Sequence, residues 1–158
     1  MSPKIRDRAE ASSQARLPLF TIGYEGRTLT EFLDIVADKR ISAILDVRRD
    51  PVSRKKGFSK TALKEALAER GIEYVHLPEL GVPRDIRQRY LQKGEADSLQ
   101  KFVHASLAQH DGLLRETLQR FSGKAICFLC FERDPAYCHR SLIANHLARK
   151  GLYEIHHL

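Results

Sequence analysis

The chemistry-bearing residues of this 158-residue chain crowd its last third, where Cys127, Cys130 and Cys138 fall within twelve residues and Cys138 leads directly into His139-Arg140-Ser141. Cys130 ends an apolar run, Ala125-Ile126-Cys127-Phe128-Leu129, that reads as a buried strand. A helix is expected over 139–150, closed by Gly151. A helix start offers free N–H groups and the positive end of the helix dipole, which together attract anions. Arg140 adds a planar donor fork suited to phosphate or carboxylate. A thiol in such a field is expected to ionise more readily. Cys130 and Glu132 are therefore candidate catalytic groups, and Cys138, His139, Arg140 and Ser141 candidate ligand-binding ones. The plainer possibilities are that Cys127 and Cys130 are small core residues, and that Glu132 pairs with Arg140 to fix the loop.

Three other segments carry comparable side chains. Asp46-Val47-Arg48 follows the apolar stretch Ile44-Leu45, and Arg48 can clamp an anionic group that Asp46 orients, or the two can pair. Beyond them Ser53-Arg54-Lys55-Lys56-Gly57 forms a basic loop suited to phosphate contacts. Gly23 and Gly26 flank Tyr24 and Glu25 and permit close backbone approach. Tyr24 can stack on a ring or simply pack. His76 closes the run Ile72-Glu73-Tyr74-Val75 and can exchange protons near neutrality. Cysteine, histidine and carboxylate are zinc ligands in kind. Their spacing matches no familiar ligand pattern, so neither a metal nor an organic cofactor is expected.

Positioning these segments requires strands and helices in alternation. Strands are expected over 17–23, 41–47, 72–77, 124–130 and 153–157. Helices are expected over about 29–40, after Ser59, over 84–93, through 97–121 with a break near Asp111-Gly112, and over 139–150. Thr28-x-x-Glu31 is a capping box for the first of them. The pattern implies a single Rossmann-like three-layer α/β domain over 18–158, with a mostly parallel sheet of about five strands. Ligands of such folds bind at the carboxyl ends of the strands. All four segments fall there.

At those segments the chain resembles the family called domain of unknown function 488. The resemblance rests on Thr21-Ile22-Gly23-Tyr24-Glu25-Gly26-Arg27, on Asp46-Val47-Arg48 with Pro51 and Ser53-Arg54, and on Phe58-Ser59. It continues through Tyr74-Val75-His76-Leu77-Pro78-Glu79-Leu80-Gly81 to Cys130-x-Glu132 and Cys138-His139-Arg140-Ser141. It looks like the Tyr-Glu-Gly subgroup, and it implies no activity. In outline the strand-cysteine-loop-Arg-Ser layout is also similar to rhodaneses and cysteine phosphatases. The loop here is longer, however, and carries Glu132, Asp134 and Pro135.

Bulk properties narrow the class. Net charge is +7, of which residues 1–16 supply +2, so the domain itself stays basic. Such a balance favours acidic partners. Residues 1–17 read as a mobile basic tail. No apolar run approaches the roughly 20 residues of a membrane span, no secretory signal is evident, and three cysteines do not make a disulfide framework. A cytoplasmic protein without membrane contact is expected. The leading expectation is a protein that binds a phosphate-bearing small molecule or nucleic acid. The alternatives are an enzyme acting on that ligand through Cys130, Glu132 or His76, and a non-catalytic partner-binding protein.

Overall fold

Five strands, the first four each followed by a segment that brings the chain back to start the next parallel strand, build the protein, whose computed structural model describes residues 15–158. The first 14 residues of the expected tail lie outside the described ones. In chain order the elements are β1 (Leu17–Gly23), α1 (Leu29–Asp38), β2 (Ala43–Asp46), α2 (Lys60–Ala68), β3 (Glu73–His76), α3 (Arg84–Lys93), α4 (Ala96–Gln109), α5 (Asp111–Arg120), β4 (Ile126–Cys130), α6 (His139–Arg149) and β5 (Tyr153–His157). Short 3-10 turns cover Pro78–Leu80 and Pro135–Tyr137. Strands 2, 3 and 4 are one to two residues shorter at their ends than the apolar runs suggest, and the expected break separates α4 from α5 at His110. The capping box forms: Thr28 Oγ1 accepts from the Glu31 amide, and the Thr28 amide donates to Glu31 Oε2 at 2.7 Å.

The sheet runs β3-β2-β4-β1-β5, and every neighbouring pair is parallel. Alternation along the strands divides the core in two. Ile22, Ile44, Cys127 and Leu129 face α1 and α2, whose Phe32, Leu33, Val36, Leu63 and Leu67 cover them. Leu19, Ala43, Leu45, Ile126 and Phe128 face the other way, onto Leu99, Val103, Leu107, Leu114, Ile143 and Leu147 of α4, α5 and α6. Helices therefore cover both faces, which is what hydrophobic strands without a polar side require.

This order sets where a cleft opens. From β2 the chain leaves toward β3 at one edge; from β4, its neighbour, it leaves toward β5 at the other. The loops after β2 and β4 diverge, and a crevice forms between them at the carboxyl end of the sheet.

Candidate functional site

The crevice is a cleft of about 650 Å³ whose lining includes Tyr24, Arg48, Ser53, Cys130 and His139, drawn from three of the four segments singled out in the sequence. Its rim is basic. Arg49, Arg54, Arg84 and Arg87 also line it, against a single carboxylate, Asp50. Arg49 and Arg54 belong to the loop after β2. Arg84 and Arg87 stand on α3, a helix with no buried residue that packs against α4. The sequence reading did not assign α3 to the site. The available signal was its charge, Arg84, Asp85, Arg87 and Arg89 in one surface-type helix.

Asp46 and Arg48 form the wall of the cleft beneath the β2 end. The guanidinium is bidentate on the carboxylate, and its remaining donors reach Tyr24 Oη (3.2 Å) and the Phe58 carbonyl (2.7 Å). Tyr74 Oη donates to Asp46 Oδ2 at 2.5 Å. Burial alone would weaken the basicity of Arg48, but Asp46 beside it more than offsets this and holds it charged. Burial and the Asp46 carboxylate together push the Tyr74 hydroxyl well above its ordinary value, so it stays a donor. Tyr24 packs rather than presenting a free face: its ring stacks on Phe58 at 4.4 Å, and Phe131 meets it edge-on.

At the base of the cleft, where Cys130 and His139 line it, lies a cluster of thiols, imidazole and carboxylate. His139 Nε2 is 3.0 Å from the Val47 carbonyl, which can only accept, so this nitrogen carries the proton and Nδ1 turns its lone pair inward. Nδ1 is 3.7 Å from Cys130 Sγ, and Cys130 Sγ is 3.4 Å from Glu132 Oε2. Cys138 joins the cluster, and its burial pushes the thiol well above its ordinary range. Burial opposes ionisation of Glu132, yet Arg87 and hydrogen bonds from both thiols outweigh it and keep the carboxyl below its usual value. Arg87 Nη2 stands 2.6 Å from Glu132 Oε1. The ion partner of Glu132 is thus Arg87 on α3, not Arg140.

Arg140 occupies the interior. It is fully buried, with Nε donating to Thr21 Oγ1 and both terminal nitrogens donating to the carbonyls of Glu132 and Arg133. This ties the 131–133 loop down beside β1. Gly23 completes the junction, because a Cβ there would sit 1.8 Å from the Glu132 carbonyl oxygen. Gly26 takes φ +72 in the following turn. Ser141 Oγ donates to the Pro135 carbonyl at 2.6 Å. His76 stands away from the cleft and bonds the Arg48 carbonyl through Nε2 at 2.8 Å, with Lys60 Nζ at its other nitrogen. A further cavity of about 600 Å³ lies at the opposite, amino-terminal edge of the sheet, between β1, α5 and α6, far from these groups.

Among the described residues, no helix is long and apolar enough to cross a membrane. The model of the family described as Domain of unknown function DUF488 matches residues 28–147. No curated protein and no solved structure matches the chain.

Proposed function

The chain belongs to the DUF488 family, whose description assigns no activity, and we propose from its geometry that it binds a phosphate-bearing ligand, a nucleotide or a short stretch of nucleic acid, in the cleft at the carboxyl ends of β2 and β4. The observation that carries this reading is the state of the arginines. Arg48 and Arg87 already hold carboxylates. Arg49, Arg54 and Arg84 have no carboxylate partner among the described residues, and all three are exposed and line the cleft. Three guanidinium groups without an ion-pair partner around one concavity, with Asp50 the one carboxylate in its lining, leave it net positive and attract an anion. The cleft volume falls in the range of small-molecule sites, about 300–1,000 Å³. Arg48 and the buried network beneath it act as a wall, and Arg140 holds the 131–133 loop, whose Phe131 lines the cleft. Three free thiols suit a reducing compartment, which supports a cytoplasmic setting for this reading.

Calorimetric titration with inorganic phosphate, mononucleotides and a short single-stranded oligonucleotide tests the proposal. Saturable binding is expected, and it should be lost when Arg49, Arg54 and Arg84 are together replaced by alanine. Equal binding by wild type and the triple variant would overturn it.

A further inference from the structure

The cluster at the base of the cleft holds more ligand atoms than anion binding uses. We propose that Cys130 Sγ, Cys138 Sγ and His139 Nδ1 form a binding site for one zinc-class divalent cation, with Glu132, 3.4 Å from Cys130 Sγ, turning in to complete the set. The proposal goes beyond the anion-binding reading and does not rest on it.

Four observations support it. The ligand atoms of Cys130, Cys138 and His139 all lie within 4.8 Å of one another, and all three residues are buried. The separations fit tetrahedral edges. With Zn–S near 2.3 Å and Zn–N or Zn–O near 2.0–2.1 Å, sulfur stands about 3.6 Å from either a nitrogen or an oxygen ligand. The corresponding distances here are 3.7 Å for Cys130 Sγ to His139 Nδ1 and 3.4 Å for Cys130 Sγ to Glu132 Oε2. The Val47 carbonyl fixes the His139 tautomer with Nδ1 inward, which is the customary support for a metal-bound imidazole. Charge also balances: two thiolates and one carboxylate around a divalent ion leave a single negative charge, and Arg87 stands 2.6 Å from the Glu132 carboxylate to match it. Binding would displace the thiol protons to solvent and break no other bond. A mixed S₂NO tetrahedron selects zinc over magnesium, calcium or manganese.

The adjacency of Cys138 and His139 argues against a shared ion on spacing alone. The backbone removes that objection. Cys138 is extended (φ −125, ψ 135) and His139 opens α6, so the chain turns between them. In a continuous strand successive side chains point apart; across this turn both reach the same point.

Cobalt(II) is the probe, titrated into the reduced, metal-stripped full chain. One equivalent should produce the visible bands of tetrahedral cobalt with near-ultraviolet thiolate charge transfer, and zinc should bleach both. Cys138→Ser and His139→Gln should each weaken binding at least tenfold, while Cys127→Ala, outside the cluster, should leave the spectrum unchanged. Should either cluster variant fail to fold, Glu132→Gln decides instead, by shifting the visible bands and weakening binding or by leaving both as they were. A faint octahedral spectrum, no saturable binding by wild type, a spectrum indifferent to the cluster variants, or alkylation of Cys130 that zinc does not slow would each overturn the proposal. Phosphate and nucleotide titrations of the zinc-free protein report on the cleft separately, so failure of one reading is visible apart from failure of the other.

Discussion

Arg48 and Asp46, two residues apart in sequence, meet fork on fork: Nε lies 2.9 Å from Oδ1 and Nη2 lies 2.7 Å from Oδ2, with the arginine 6% and the aspartate 0% exposed. The residue pattern left open whether these groups clamp a ligand or hold each other. They hold each other, and Arg48 lines the cleft with Asp46 buried behind it.

Breaking the pair from one side strands a buried charge. Asp46→Asn should destabilise the fold by about 3–5 kcal/mol, measured by urea unfolding. Replacing both residues, with Asp46→Leu and Arg48→Met together, should recover part of that loss. Recovery stays partial because Tyr24 Oη, Tyr74 Oη and the Phe58 carbonyl lose their partner.

Gly23 is fixed by space. Gly23→Ala forces β1 away from the 131–133 loop and should cost about 1–3 kcal/mol, with weaker ligand binding from the displaced loop. Gly94→Ala is the comparison. Gly94 has φ +67 but nothing within 4 Å of an added Cβ, so its cost is backbone strain alone, about 1–2 kcal/mol. Thermal denaturation gives both numbers, and only the Gly23 variant should also lose binding.

The cleft arginines predict a salt signature. Arg84→Ala should weaken phosphate-ligand binding about tenfold or more, the equivalent of about 1.5–3 kcal/mol for a charge-assisted hydrogen bond. Arg84→Lys should restore the salt dependence of binding more fully than its affinity, because lysine keeps the charge but not the planar fork. Titration at two ionic strengths separates the two.

A pH dependence originates at the far edge of the same network. Arg140 Nε donates to Thr21 Oγ1, and Thr21 Oγ1 lies 2.6 Å from His157 Nδ1, where a neutral imidazole can accept the hydroxyl proton. Burial, and then the charge of Arg140, lower the His157 value from its usual 6.5. The unfolded chain therefore takes up the proton first. The contribution of His157 is intact above about pH 6.5 and is lost as pH falls from there through the lower folded-state value. The loss is small because the residue is exposed. Unfolding midpoints at about pH 7.5 and about pH 5.5 should differ less in His157→Ala than in wild type.

The fold was largely legible from local signals. Short apolar runs ending at Gly23, Val47, Leu77 and Cys130 named the strands, the Thr28 box named a helix start, and alternation named the layers. The site was legible in part, because segments at the carboxyl ends of parallel strands must meet. What local pattern does not carry is the partner of a charge. Arg140 has the sequence position of an anion donor, yet the carbonyls of Glu132 and Arg133 curl back to it. Arg87 reaches Glu132 from 45 residues away, on a helix whose composition marks it only as surface. Cys138 and His139 converge through one change of backbone conformation that spacing rules do not contain.

The register of β1 has a consequence for how the chain is made. This strand, Leu17–Gly23, pairs with β4 at Ile126–Cys130 and with β5 at Tyr153–His157, and with no strand in between. During synthesis β2 and β3 can pair early, whereas β1 must wait for more than a hundred further residues before either neighbour emerges. Non-local parallel pairing of this kind is slow and leaves strand edges open. A nascent chain stalled before residue 126 therefore carries Leu19 and Ile22 exposed with no native edge to receive them, which makes the interval before β4 the stage of greatest exposure to chaperones and to aggregation.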